Sequence, residues 1–242
     1  MLYAAHTLWE ELGLGPLLRE QMQRDGCEAP HDTALFIMTA NRLARPASKL
    51  ACYEHWLADE VYGPEAKTLA LEHLYRGMDC LLQHIEALEQ EIFYRTADLL
   101  NADVDLIFGD TTTLDFEIDE EDDADGELWY DHAIPARRKR GHTKEGRDGN
   151  PQVVVGLALT RDGLPVRSWV FPGNTADVTT ITHLKDDLRG WRLNRGVFVG
   201  ASGMVSEANQ QRLRRALGRY LLAVPMRRVT EVPLEVLSRP GR

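Results

Sequence analysis

The spacing of apolar residues changes character once along this chain, near residue 100. Before that point apolar side chains recur in steps of three and four, the period of one helix face; beyond it they come in short runs separated by turn residues, the habit of strands. From about Glu65 to Leu100 the residues Leu74, Met78, Leu81, Ile85, Leu88 and Ile92 predict one long amphipathic helix. A dimerising coiled coil is the sharper reading of that stripe, but a few heptads amid other helices are satisfied by packing on their neighbours. A further helix is predicted over roughly Thr33–Leu43, stopped by Pro46, and another after Ser48. Thr7 and Glu10 have the spacing of a capping box. Residues 1–100 therefore read as an all-helical region.

Residues 101–242 read differently. "VDLIFGDTTTLDFE" carries an apolar run, Val104–Phe108, with β-branched threonines beyond Asp110. "PQVVVGLALT" and "LPVRSWVFPGN" are two apolar runs joined by Arg161-Asp162-Gly163, which predicts a hairpin. "TADVTTITHLKDDLRG" predicts a helix, "GVFVG" a strand, "SEANQQRLRRALG" a helix and "RYLLAVP" a strand. That order implies one α/β sheet with helices on its faces. Two strands then end where such proteins place their chemistry, one at Asp110 and one at Gly200-Ala201. A carboxylate at Asp110 suits a hard cation, and it equally suits capping the next turn through the amides of Thr112 or Thr113.

Charge is concentrated in two neighbouring stretches. The run Glu117–Glu127, "EIDEEDDADGE", holds eight acidic side chains and no basic one, and without it the net charge of −10 falls to −2. It lacks the order of an EF-hand loop and is read as a solvated loop, with metal binding as the minority reading. Then come Arg137, Arg138, Lys139, Arg140, Lys144 and Arg147, which suit a solvated loop and a phosphate-contacting loop equally. The acidic run is expected to mask this cluster by intramolecular pairing.

Several classes are excluded. Hydrophobic residues make up 43% of the 242, enough for a true core. No apolar stretch reaches membrane-span length, so no membrane partner is expected. The scattered Cys27, Cys52 and Cys80 match no zinc spacing and suit free thiols in a reducing, cytoplasmic setting. The strand-turn-helix around Ser202 is not a hydrolase elbow, because Met204 stands where glycine is required and the last histidine, His183, precedes the serine. There is no phosphate loop of the G-x-x-x-x-G-K-[ST] type and no H-E-x-x-H.

Three segments, "IFGDTTTLDFE", "GHTKEGRDGNPQVVVGLALTRDGLPVRSWVFPGNTAD" and "VFVGASGMVSEAN", together resemble the catalytic core of bacterial insertion-sequence DDE transposases. The resemblance rests on D-T-T-[ST]-L-x-F-E, P-Q-V-V-x-G-L, F-P-G-N-T-x-D and G-M-V-S-E-x-N. It extends weakly into "LWEELGLGPLL" and "ASKLACYEHWLADEVYG", and so covers nearly the whole chain. The acidic run has no place in the family pattern.

What the resemblance implies is an RNase H-like mixed sheet with flanking helices, in which two aspartates and a glutamate hold two divalent ions, usually Mg2+, for phosphodiester cleavage and strand transfer on DNA. Asp110 matches the first acid, as catalytic residue and metal ligand. The second position is Ala201, and the third acid is expected beyond "YLLAVPMRRV", past the point where a match is found. The expectation is a partial transposase copy, defective in cleavage because one carboxylate cannot hold two Mg2+ ions, with DNA and a second or full-length transposase chain as partners. The alternative is a non-catalytic remnant that binds DNA or transposase.

Overall fold

In a computed structural model of the chain, residues 1–61, 66–99, 106–129, 132–142, 149–188, 191, 197–216 and 219–223 are described. The chain divides into two compact units, Met1–Ala102 and Asp103–Arg242.

The first unit is helical: α1 (Leu2–Glu11), α2 (Leu14–Arg24), α3 (His31–Ala44), the short α4 (Lys49–Ala51) running on as a π-helical turn over Cys52–Leu57, and α5 (Leu71–Leu99). Ser48 caps α4, its hydroxyl oxygen accepting the Ala51 N–H at 3.1 Å. Arg95 on α5 donates to the carbonyls of Leu12 and Gly13, both at 3.0 Å. Leu12 is the C-cap of α1, whose carbonyl the helix itself cannot satisfy, whereas the Gly13 carbonyl also accepts the Leu17 N–H of α2. The predicted Thr7–Glu10 capping box is absent, because α1 has already begun at Leu2. Thr7 sits inside that helix and donates to the Tyr3 carbonyl at 3.0 Å.

The stripe on α5 serves packing. Leu74 is fully buried among Ala34, Ile37, Ala40 and Trp56, and Leu88 is buried among Leu17, Leu18, Met22 and Leu35. Met78, between them in the same stripe, is 43% exposed. One long helix thus joins two small apolar clusters.

His31 opens α3, buried at 7% exposure, with its ring 6.1 Å from that of His73. Burial, and then the neighbouring His73, lower its pKa. A histidine held neutral in this way stabilises the fold above its unfolded-state value, and that contribution is lost as pH falls through the lower folded-state value. The helical unit is therefore expected to lose urea resistance below about pH 6.5, the ordinary histidine value. His31→Gln should flatten the dependence, followed by circular dichroism. An identical pH profile in the variant would exclude His31 as the cause.

The second unit is built on one mixed sheet. Its elements are β1 (Leu106–Asp115), the hairpin β2 (Glu127–Trp129) and β3 (His132–Ile134), β4 (Gln152–Thr160), β5 (Pro165–Pro172), α6 (Asp177–Leu188), β6 (Val197–Gly200), α7 (Glu207–Ala216) and β7 (Tyr220–Leu222). The five-stranded sheet has the order β5-β4-β1-β6-β7. β4 is antiparallel to both β1 and β5, whereas β1, β6 and β7 run parallel. This is the RNase H-like mixed sheet with flanking helices, and the helical region precedes it.

The two faces of the sheet differ. Ile107, Gly109, Thr111 and Phe198 face Ile181 and Leu184 of α6, which are fully buried. The opposite face carries Phe108, Leu157, Val170 and Leu221, which are 38%, 37%, 42% and 60% exposed.

A buried cation ties the sheet to its helix. Arg167 on β5 is 7% exposed and lies 5.8 Å from the rings of both Trp169 and Trp191. Asp187 on α6 accepts from Trp169 Nε1 at 2.7 Å and from Arg167 Nη2 at 3.3 Å. Asp187 is itself 39% exposed, so it is the buried guanidinium that loses a partner when the carboxylate is removed. Asp187→Ala is expected to destabilise this unit by about 1–2 kcal/mol in urea titrations, and a loss below about 0.5 kcal/mol, typical of a surface pair, would show that the pair does not anchor α6.

Candidate functional site

The site begins where two parallel strands part. β1 and β6 are paired through Leu106–Val197, Ile107–Phe198, Phe108–Val199 and Gly109–Gly200, and there the pairing stops. The next residue on each strand is Asp110 and Ala201. Alternation along the strands turns both away from α6 to the open face, and both are exposed. Asp110 and Ala201 therefore lie side by side at the same end of neighbouring strands.

Contrary to the sequence expectation, β1 does not end at Asp110. It runs on to Asp115 because the β-branched Thr111, Thr112 and Thr113 continue the antiparallel ladder with Gly156, Val155 and Val154. Asp110 marks the end of the pairing with β6 only, and it stands directly across from Leu157 of β4. Its Oδ1 accepts the N–H of Thr111 at 2.8 Å, not those of Thr112 or Thr113, since no turn follows it.

Close approach makes this geometry. A Cβ on Gly109 would lie 2.7 Å from Phe198 Cζ and 3.0 Å from Leu184 Cδ2, so glycine lets strand, neighbour and helix meet there. One residue later Thr111 donates its hydroxyl to Oδ1 of Asp177, the first residue of α6, at 2.7 Å. Asp177 fastens the helix to the strand that carries Asp110, and it does so on the opposite face. Its signal was present in the F-P-G-N-T-x-D stretch, but a carboxylate at a helix start has several uses that spacing does not distinguish.

Among the described residues, the donors around Asp110 are too few for a two-metal centre. Asp110 is flanked by Ala201 and Leu157, Asp177 is engaged on the far face, and Ser202 is an exposed residue of a 3-10 turn over Ser202–Met204. Among the described residues no three His, Cys, Asp or Glu side chains are grouped to hold a metal ion. The expected position of the third acid lies outside the described residues.

The charged stretches prove to be two arms of one hairpin. β2 and β3 pair Glu127 with Ile134, and the chains on either side of this ladder stay together. Asp122 N–H donates to the Arg138 carbonyl at 3.0 Å. Asp122 Oδ2 accepts the N–H groups of Arg137 and Arg138 at 2.9 and 2.8 Å, and Oδ1 accepts from Arg138 Nε. Lys139 Nζ donates to the Asp122 carbonyl at 2.5 Å and lies 3.7 Å from Glu121 Oε2. Arg140 donates its N–H to Glu121 Oε1 at 2.6 Å and its Nη2 to the Asp119 carbonyl. Backbone donors and Arg138 hold the Asp122 carboxyl below its ordinary pKa despite partial burial, which acts the other way. At the pivot stands Gly126, at φ +72°, where a Cβ would lie 2.2 Å from the Ile134 carbonyl oxygen.

The basic arm is also fixed to the sheet. Lys139 and Gln152 exchange backbone hydrogen bonds at 3.0 Å, and Gly173 N–H donates to the Arg137 carbonyl at 2.9 Å. Four of the six predicted cations, Arg137, Arg138, Lys139 and Arg140, thus lie on one ordered strap, while Lys144 and Arg147 lie outside the described residues.

No family model and no curated protein matches this sequence. Among solved structures, the chain is similar to a Mos1 transposase paired-end complex with left transposon end, at 9% identity and a TM-score of 0.30, over 78% of this chain and 57% of that one. It is likewise similar to a pre-cleavage Mos1 transpososome, at 10% identity and a TM-score of 0.31, over 78% of this chain and 58% of that one. The chain therefore spans less than two thirds of the length of either. No helix among the described residues is long and apolar enough to cross a membrane.

Gly109→Ala tests whether this strand junction is as close as it stands. The added methyl group must push Phe198 or Leu184 aside, and overpacking of this kind costs about 1–3 kcal/mol. A thermal unfolding midpoint equal to the parent's would mean that the junction is looser than described.

Proposed function

We propose that this chain is the core of a DDE-type transposase that engages DNA without cutting it. The observation that carries the reading is the juxtaposition of Asp110 with Ala201 at the end of two parallel strands. The motif resemblance calls for paired carboxylates at that position, and the chain supplies one. Phosphoryl transfer between DNA strands depends on positioning and charge neutralisation by metal ions, each needing several anchored oxygens. A single exposed aspartate beside an alanine and a leucine does not provide them. The residues that remain useful are cationic: Arg137, Arg138, Lys139 and Arg140, with Lys144 and Arg147 following in sequence, would contact DNA phosphates.

The test compares the parent chain, Ala201→Asp and Asp110→Ala in calorimetric Mn2+ titrations and in nuclease assays on supercoiled plasmid. Ala201→Asp is expected to tighten Mn2+ binding by about tenfold, because a second carboxylate then faces the same ion. The parent is expected to leave plasmid intact. Robust Mg2+-dependent cutting by the parent that disappears in Asp110→Ala would overturn the reading.

A further inference from the structure

The acidic segment has no counterpart in the motifs that carry the resemblance, yet it is held by specific contacts. Its targets are the basic strap. Asp122 occupies the backbone donors of Arg137 and Arg138 and the side chain of Arg138, while Glu121 takes the backbone of Arg140 and lies near Lys139. These groups are the ones a phosphate would seek: guanidinium, ammonium and outward backbone N–H. Carboxylates along the arm offer the same chemistry as a nucleic-acid backbone, negative oxygens at short intervals along a chain.

The two arms are attached unequally. The basic strap is built into the sheet through Gln152 and Gly173. Between Glu117 and Glu127 every residue except the half-buried Asp122 and Gly126 is exposed, and Ile118, at 38% exposure, is the one large apolar side chain the arm partly covers. What holds it is charge and hydrogen bonding, which salt and competing anions weaken. Lifting the arm leaves the strap in place and costs little hydrophobic burial.

We propose that Glu117–Glu127 is a built-in mask, an acidic arm that occupies the phosphate-binding strap Arg137–Arg140 and is displaced by duplex DNA. The inference rests on the reading of the strap as a DNA-contacting surface and adds its regulation. Binding then exchanges one set of anions for another. Duplex DNA releases condensed cations as the strap docks, while the freed arm gathers cations again, so the masked protein shows a weaker salt dependence than the strap alone would.

The test uses the full chain and a fluorescent duplex of arbitrary sequence. The arm variant carries Glu120→Gln, Glu121→Gln, Asp122→Asn and Asp123→Asn, near-isosteric changes that keep a carbonyl acceptor. A control of equal charge carries Glu11→Gln, Glu28→Gln, Glu54→Gln and Asp59→Asn, all exposed positions on the helical unit. The arm variant is expected to bind about tenfold tighter than parent and control near 50 mM salt, with a steeper fall of log affinity against log salt. Trypsin is expected to cut after Arg138, Lys139 or Arg140 faster in the arm variant than in the other two. Equal gains in the arm and control variants would reduce the effect to overall charge and overturn the mask. Equal binding by parent and arm variant, with loss on changing Arg137, Arg138, Lys139 and Arg140 to Gln, would overturn the mask while leaving the DNA reading intact. No duplex binding by any variant would overturn both.

Discussion

The parallel pairing of β1 with β6, and its end at Gly109–Gly200, is the constraint on which the candidate site depends. Parallel neighbours need a crossover between them, and here that crossover includes the hairpin, α6 and the turns that join them. The strands can meet only because Phe198 reaches into the space a Cβ on Gly109 would fill, with Leu184 closing it from the helix side. Asp177 then holds α6 against Thr111. With strand, neighbour and helix fixed within one residue of Asp110, the alternation of side chains leaves no choice about what stands beside it. That neighbour is Ala201.

The hairpin arms obey a different logic. The sheet is held by burial, whereas the arms are held by complementary charge along a backbone register that β2 and β3 begin. The two stretches are adjacent in sequence and need only a short closed loop to meet, so the entropic cost of bringing them together is small. Eight acids in eleven residues would repel one another if left alone in solution. Facing four cations on a fixed strap, part of that repulsion becomes attraction, and the segment acquires a defined course without a core.

Much of the fold was legible because burial leaves a periodic record. The apolar runs of β4 and β5 with the turn between them, and the stripe of α5, were read from spacing alone. The position of Asp110 was legible only in part. Its strand was found, but the threonines that carry β1 on to Asp115 look the same in sequence whether they form a ladder or a turn, and only the partner strand decides. Thr7 and Glu10 had the spacing of a cap and lie inside a helix, since spacing does not say where a helix starts. The β2–β3 ladder is only three residues on each side, too short to show a period, and the contacts between Asp122 and the strap depend on backbone donors that a residue list does not contain. Asp177 was quoted in a motif, but its partner Thr111 lies 66 residues away in sequence.

The tryptophan distribution gives each unit its own optical label. Trp9 and Trp56 sit among apolar neighbours of the helical unit. Trp169 and Trp191 flank the Arg167 guanidinium, and the Trp169 indole N–H points at a carboxylate. An indole excited state shifts its charge across the ring, so a fixed cation over one side and a fixed anion at the other displace its emission. Light from Trp169 and Trp191 therefore reports on the Arg167–Asp187 pair, with Trp129 of β2 as the remaining emitter of that unit, while light from the helical unit reports on hydrocarbon packing. The same residues that lock β5 to α6 make the two halves of this chain spectroscopically distinct.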